Sequence, residues 1–276
     1  MGSELPKRAI EVATLSVVTA RPEDAVSKAA KIMTRGWFRR LPVVDEGEVV
    51  GLVTAKDILR AISKAIRRDA DPSCIVEALN IPLSRVIKEP PAKVDPYTPL
   101  EEVLDVVVAS DAGAALVVDE TGRLLGIVTE RDLLRALADL EVREIVQEIM
   151  TKDVKTLRPE DLVIQAVRGM VAGGFRRYPV VDETGKLVGI VTARDLVALA
   201  ADCAENPSKA SDFFGSVSRV MSENPLTVNP QFGVMAALRR TTEAGVGALP
   251  VVSAGKLVGI VTEMDLLRAI RRYLRS

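Results

Sequence analysis

Four threonines are each followed three residues later by an aspartate: Thr54 and Asp57, Thr129 and Asp132, Thr192 and Asp195, Thr262 and Asp265. Each pair closes a Gly-apolar-Val-Thr-x-x-Asp block that begins at Gly51, Gly126, Gly189 or Gly259. A hydroxyl and a carboxylate at this spacing suit the first turn of a helix, where such a cap contributes about 1 kcal/mol. Capping boxes favour Glu or Gln at the third position, whereas all four copies use the shorter Asp. A helix start also presents unpaired N–H groups and positive dipole charge, a setting for an anion. Cations stand close by. Lys56, Arg131 and Arg194 immediately precede three of the aspartates, with Met264 in the fourth place. Phe38-Arg39-Arg40 and Phe175-Arg176-Arg177 precede a strand in the first and third copies, where the second and fourth read Ala114-Ala115 and Gly247-Ala248. Arginine forks bind phosphate oxygens with two donors each. The fourth copy, lacking both, should hold a phosphorylated ligand least well.

Enzymatic chemistry finds little support. The chain has no histidine, so the usual base near neutral pH, histidine metal ligands, and Ser-His or Cys-His nucleophile pairs are all missing. The aspartates come one per copy rather than as a catalytic pair. Cys74 and Cys203 stand apart, which indicates neither a disulfide framework nor a metal cluster. The reading is a protein that binds but does not catalyse, with no metal and no catalytic cofactor.

The elements that position these residues recur as well. Pro22, Pro96, Pro159 and Pro230 lie 32 or 33 positions before the four threonines, so the chain is an array of one supersecondary unit. In the first copy Leu15 to Thr19 reads as a strand, and Pro22-Glu23-Asp24 reads as a helix start. Ala25, Val26, Ala29, Ile32 and Met33 then form an apolar stripe at helical spacing. Strands over Leu41 to Asp45 and Val49 to Thr54 follow, joined at Glu46-Gly47; the matching turns are Glu120-Thr-Gly122, Glu183-Thr-Gly185 and Ser253-Ala-Gly255. A second helix comes after the threonine, with Ile58, Leu59 and Ile62 and their counterparts as its apolar face. Asp69 to Pro82 and Cys203 to Ser216, richer in Pro, Asp, Asn and Ser, read as connections.

The order strand, helix, strand, strand, helix, with this junction, resembles the cystathionine-β-synthase (CBS) domain. The resemblance spans 10–68, 83–140, 145–202 and 217–276, here numbered repeats 1 to 4. It implies a mixed α/β (α+β) fold whose domains pair through their sheets into two modules, 1–140 and 141–276, forming a disc. It also implies that each Asp accepts hydrogen bonds from a ribose diol while the Thr hydroxyl and helix amides contact ribose or phosphate. Thr19, Lys93, Thr156 and Thr227, three residues before the aligned prolines, stand where CBS domains commonly meet adenine or ribose. With four repeats the chain is similar to the gamma subunit of AMP-activated protein kinase, where basic residues near the Arg39-Arg40 and Arg176-Arg177 positions reach nucleotide phosphates. That family often has His-Arg there and places its cations in even repeats; this chain has Arg-Arg in the odd ones. The resemblance implies a regulatory protein that senses AMP, ADP or ATP in clefts between repeats and passes the signal to an effector protein. Alternatives are another adenosyl ligand such as S-adenosylmethionine, or a ligand-free scaffold or nucleic-acid-binding adaptor.

Composition narrows the choice. The 37 Lys and Arg balance 38 Asp and Glu, which argues against a protein that coats nucleic acid. Apolar runs are short and broken by charge, so no signal peptide or membrane span is expected and a cytoplasmic location is the default. Many charges with only four Asn and three Gln is the bias of a thermophile source. Arg268, Arg271, Arg272 and Arg275 near the end complement a helix dipole. The sequence names no effector and leaves a homodimer open.

Overall fold

The computed structural model describes residues 7–66, 71–87 and 91–276. Repeat 1 supplies α1 (Ala9–Val12), α2 (Val26–Arg35), β1 (Arg40–Asp45), β2 (Glu48–Thr54) and α3 (Ala55–Ala65), and α4 (Ser73–Leu79) follows it. Repeat 2 holds β3 (Lys93–Val94), α5 (Leu100–Ala109), β4 (Ala114–Val118), β5 (Leu124–Thr129) and α6 (Glu130–Ala136). Repeat 3 holds α7 (Val146–Ile149), α8 (Val163–Gly173), β6 (Arg177–Val181), β7 (Leu187–Thr192) and α9 (Ala193–Glu205). Repeat 4 holds β8 (Ser222–Glu223), α10 (Val234–Ala244), β9 (Ala248–Ser253), β10 (Lys256–Thr262) and α11 (Glu263–Leu274).

The centre of every repeat is an antiparallel hairpin with one bulge. Two of the four turn on a pair of left-handed residues, Glu46-Gly47 at φ 47° and 94° and Ala254-Gly255 at φ 48° and 78°. That is the geometry a two-residue hairpin loop demands, with glycine at the second place. The first strand of each repeat is reduced to very little. Val94 pairs in parallel with Val117, and single bridges join Ala20 to Val43, Leu157 to Val180 and Val228 to Val251.

Three sequence expectations change here. Leu15 to Thr19 is not a strand; Leu15 and Val18 are exposed, and only Ala20 bridges to β1. Pro22 to Asp24 forms a turn rather than the first helical residues, because the Asp24 carboxylate accepts from the Arg21 N–H at 2.9 Å and from Lys28 at 2.7 Å, and α2 starts only at Val26. The supposed connections are ordered packing elements where described, their residues 69–70 lying outside the described set. Ile75 and Leu79 of α4 and Phe213 of the 3-10 segment Pro207–Phe214 are buried, and Cys203 is a core residue of α9.

The chain divides into two compact units. One, the odd unit, comprises Val18–Pro90 and Lys155–Pro225; the other, the even unit, comprises Met1–Val17, Pro91–Val154 and Leu226–Ser276. These cut across the expected modules 1–140 and 141–276. In the odd unit α2 packs on α9 and α3 on α8, so repeats 1 and 3 share one core that includes Ile58, Ile62, Leu196 and Phe213. In the even unit α11 packs on α5 and α6 around Leu104, Leu133, Leu267 and Ile270. Each such side chain contributes about 1.5–3 kcal/mol on burial.

Leading segments are exchanged within the units. Residues 9–14, at the head of repeat 1, lie on β5 and α6 of repeat 2, and 146–151 lie on β10 and α11 of repeat 4. Likewise Leu83 is buried in the repeat 1 core and β8 pairs with β7 of repeat 3. This explains the glycine in the repeated block. A Cβ on Gly126 would lie 3.1 Å from the Thr14 carbonyl oxygen, and one on Gly189 would lie 3.1 Å from that of Ser222. The incoming backbone needs that space.

Candidate functional site at the strand-to-helix junctions

All four Thr-x-x-Asp pairs sit where a strand gives way to a helix, at the starts of α3, α6, α9 and α11. One carboxylate oxygen, Oδ2, is tied down identically in each copy. It accepts the threonine N–H at 2.9, 2.9, 2.7 and 2.9 Å in repeats 1 to 4. It also accepts the threonine hydroxyl at 2.7, 2.6, 2.8 and 2.7 Å. The short aspartate therefore turns the hydroxyl toward itself, and a helix N–H reaches that hydroxyl only loosely, as Asp265 does at 3.3 Å.

The other oxygen distinguishes the repeats. Asp57 Oδ1 accepts Arg60 Nη1 at 2.7 Å. Among the described residues Oδ1 of Asp132, Asp195 and Asp265 accepts no hydrogen bond. Residue 198, where repeat 3 matches Arg60, is alanine. Each junction thus fixes a carboxylate through one oxygen; among the described residues the second accepts no hydrogen bond except in repeat 1, where Arg60 covers it. Burial raises Asp195 above the ordinary carboxyl range, against the opposing effect of the Thr192 hydrogen bonds and the Arg194 charge.

Strand register brings the remaining expected residues to the same end of each sheet. Arg40 lies opposite Thr54 and Arg177 opposite Thr192, with Ala114 opposite Thr129 and Ala248 opposite Thr262. The arginine pairs therefore match Gly113-Ala114 in repeat 2, one residue earlier than the sequence alignment placed them. The carbonyls of Arg39 and Arg176 accept the first helix N–H, from Ala55 and Ala193. Arg40 is buried at 6 % exposure; Arg39, Arg176 and Arg177 are half-buried. Lys93 pairs opposite Leu116, and Thr19, Thr156 and Thr227 each stand one residue before a bridge to the middle strand. Thr19, Lys93 and Thr156 are exposed and Thr227 is half-buried, all at the junction end of their sheets.

The cations beside the aspartates part company. Lys56 and Arg194 stay in the odd unit's junction region, and the Arg194 guanidinium lies 5.0 Å from the Trp37 ring centroid. Arg131, expected at a phosphate, is committed elsewhere: its Nε donates to Glu263 Oε1 at 3.1 Å and its Nη2 to the Gly245 carbonyl at 3.0 Å. The cause is Glu263, only 2 % exposed at the first position of α11 and in need of a counter-charge.

Four participants escaped sequence reasoning: Arg60, Trp37, Glu130 and Glu263. A signal for the last two existed. The residue after the block threonine is Ala in repeats 1 and 3 and Glu in repeats 2 and 4, and all four are buried. Trp37 has φ 57°, at the place where repeats 3 and 4 have Gly174 and Gly245 with φ 70° and 66°.

Elsewhere, Arg271 and Arg275 donate to Asp105 and Arg272 to Glu144, so three of the four expected arginines near the end of the chain pair within their own unit. A groove of about 510 Å³ beside them, lined by Glu141, Arg143, Glu144, Arg272 and Tyr273, contains none of the junction residues. Among the described residues no cluster could hold a metal ion, and no helix is long and apolar enough to cross a membrane.

Comparison with known proteins places this geometry. The CBS domain matches at residues 9–64, 83–139, 146–202 and 217–272. Protein MJ1225 of Methanocaldococcus jannaschii is 29 % identical over 91 % of this chain and 94 % of its own length. Its crystal structure, described as that of a candidate archaeal homologue of the gamma subunit of AMP-activated protein kinase, superposes with a TM-score of 0.85, covering 95 % of this chain and 99 % of that one. A protein from a ribosomal RNA operon of Thermofilum pendens is 32 % identical over 87 % of this chain and 83 % of its own.

Proposed function

Since this chain belongs to the CBS-domain family, with four copies of the domain, we propose that it is a regulatory protein that binds adenine nucleotides at its strand-to-helix junctions and signals their presence to a partner. The observation that carries this reading is the divided carboxylate. Asp57 has both oxygens engaged inside the protein. At Asp132, Asp195 and Asp265 one oxygen holds the helix start, and the other, which accepts no hydrogen bond among the described residues, is the one this reading gives to the ligand. A vicinal ribose diol is the donor pair that suits it, and such bonds to a charged acceptor contribute about 1.5–3 kcal/mol each. Phosphate charge falls to Arg39, Arg40, Arg176 and Arg177 with Lys56 and Arg194, and Thr19, Lys93, Thr156 and Thr227 border the base. The gamma-subunit likeness of MJ1225 supports the choice of nucleotide.

The protein has no catalytic role in this reading and works by linkage. A ligand that prefers one arrangement of the repeats shifts the chain toward it, and a partner that senses that arrangement is regulated in turn. Thermal unfolding with and without AMP, ADP or ATP tests the proposal. At about one hundred times the dissociation constant one site adds about 2.7 kcal/mol, a rise of roughly 5–10 °C for a chain of this size. No rise with any adenine nucleotide, on protein freed of ligand, refutes it.

A further inference from the structure

In each unit the arginine before one junction aspartate reaches across to a turn of the other repeat. Arg131 of repeat 2 donates from Nη2 to the Gly245 carbonyl of repeat 4 at 3.0 Å. The Arg194 guanidinium of repeat 3 lies over the Trp37 ring of repeat 1, 5.0 Å from its centroid. Gly245 and Trp37 hold the same place, three residues before the middle strand, with φ 66° and 57°, and Gly174 holds it in repeat 3 with φ 70°. Glycine suits this left-handed turn, whereas a tryptophan there is strained. Trp37 is 72 % exposed, so burial offsets little of that strain. The neighbouring rings of Phe38 and Phe175 serve packing: each folds back on Gly36 or Gly173, where a Cβ would collide with it. The tryptophan is what repeat 1 has and repeat 3 lacks at this turn.

Repeat 3 stands apart in a second way. Three residues after the junction aspartate come Arg60, Arg135 and Arg268 in repeats 1, 2 and 4, but Ala198 in repeat 3. Arg194 is therefore the only cation in α9. We infer that Trp37 is a positioning residue for the junction of repeat 3: from repeat 1 it holds the Arg194 guanidinium beside Asp195 and thereby strengthens that junction's hold on a nucleotide phosphate. The inference rests on the reading that the junctions take nucleotides. An aromatic face attracts a guanidinium through its charge and takes none of its N–H donors. Whatever acceptors the guanidinium also has, this contact orients the fork without competing with phosphate oxygens. Arg131, by contrast, is held through its donors by Glu263 and the Gly245 carbonyl. A long side chain ordered before the ligand arrives loses less rotamer freedom when it binds.

Calorimetric titration of the full chain with ATP and with adenosine tests this, the repeat 3 junction being the binding step that Asp195→Asn weakens. Trp37→Gly installs the residue that repeats 3 and 4 carry at this turn, so the melting temperature should fall by no more than about 2 °C. ATP affinity at the junction should drop about two- to fivefold, the range for an exposed contact of this kind, while adenosine affinity stays as it was. Trp37→Phe, which keeps a ring, should retain most of the native ATP affinity. In an Arg194→Ala background Trp37→Gly should cause no further loss, because the ring then has no guanidinium to hold. Undiminished ATP affinity in Trp37→Gly overturns the inference. So does an equal loss for adenosine, or the same loss in the Arg194→Ala background, either of which assigns the ring to packing or to direct ligand contact. A native chain that binds no ATP refutes the nucleotide reading itself, and this inference with it.

Discussion

Replacing Asp195 by asparagine separates what the junction does for the fold from what it does for a ligand. In the native site Oδ2 accepts the Thr192 N–H at 2.7 Å and its hydroxyl at 2.8 Å. An asparagine oxygen can accept both. The helix start loses a charge worth about 0.3–1 kcal/mol near its dipole. Removing that charge also relieves the desolvation that raises the Asp195 carboxyl, which offsets part of the loss. Folding stability should therefore change by less than about 1 kcal/mol, read as a urea midpoint at constant slope. Binding behaves differently, because the amide now turns an N–H toward the ribose where a carboxylate oxygen stood. One lost bond to a charged group is worth about 1.5–3 kcal/mol, so AMP or ATP affinity at this junction falls roughly 10- to 150-fold by calorimetry. The sign with pH follows from the raised carboxyl. A folded-state value above the unfolded one means that Asp195 costs stability near neutrality and that this cost is relieved as pH falls through the folded value. Ribose binding, which needs the ionised form, weakens over the same interval, and the asparagine variant lacks that pH step. Wild-type affinity in Asp195→Asn, or a loss of stability as large as the loss of binding, would refute the reasoning.

Three further outcomes are expected. Arg60→Ala should uncover Asp57 Oδ1 and raise nucleotide affinity at repeat 1, read as an added or tightened site by calorimetry; an unchanged isotherm contradicts this. Arg131→Ala should destabilise the chain by about 3 kcal/mol by removing the Arg131 guanidinium from the buried Glu263 carboxylate, and Glu263→Ala on top of it should restore most of the loss, since Ala55 and Ala193 fill the equivalent places. Cys203, whose thiol is pushed up to about 12 by burial with help from Asp202 and Asp212, should resist alkylation at pH 8 until the odd unit unfolds, while half-buried Cys74 reacts sooner.

Much of the fold was legible because it repeats. Hairpins flanked by glycine turns and helices with apolar stripes leave marks in local order, and Ile58, Leu133, Leu196 and Leu267 are buried as their spacing implied. What packs on what is not local. Nothing near Thr14 says that it bridges to Ile127, more than one hundred residues away, and the space left by Gly126 takes meaning only once that segment is in place. The same holds for the compact units, where the helix faces of repeats 1 and 3 complement each other without adjacency in sequence. At the junctions the Thr and Asp types were readable, but the allocation of oxygens was not. Arg60 and Arg135 stand at the same spacing from Asp57 and Asp132, yet only Arg60 is bonded to its aspartate. Arg131 looked like Lys56 and Arg194 by position and was claimed by a glutamate that comes 132 residues later.

The central claim, that this CBS-domain chain binds adenine nucleotides, meets its most direct test in native mass spectrometry of the ligand-free protein after addition of AMP, ADP or ATP. The account predicts discrete added masses of whole nucleotides, at least one of them lost in the Asp195→Asn variant. A spectrum of bare protein at every nucleotide concentration, or adducts that persist unchanged in that variant and in its Asp132 and Asp265 counterparts, would contradict it.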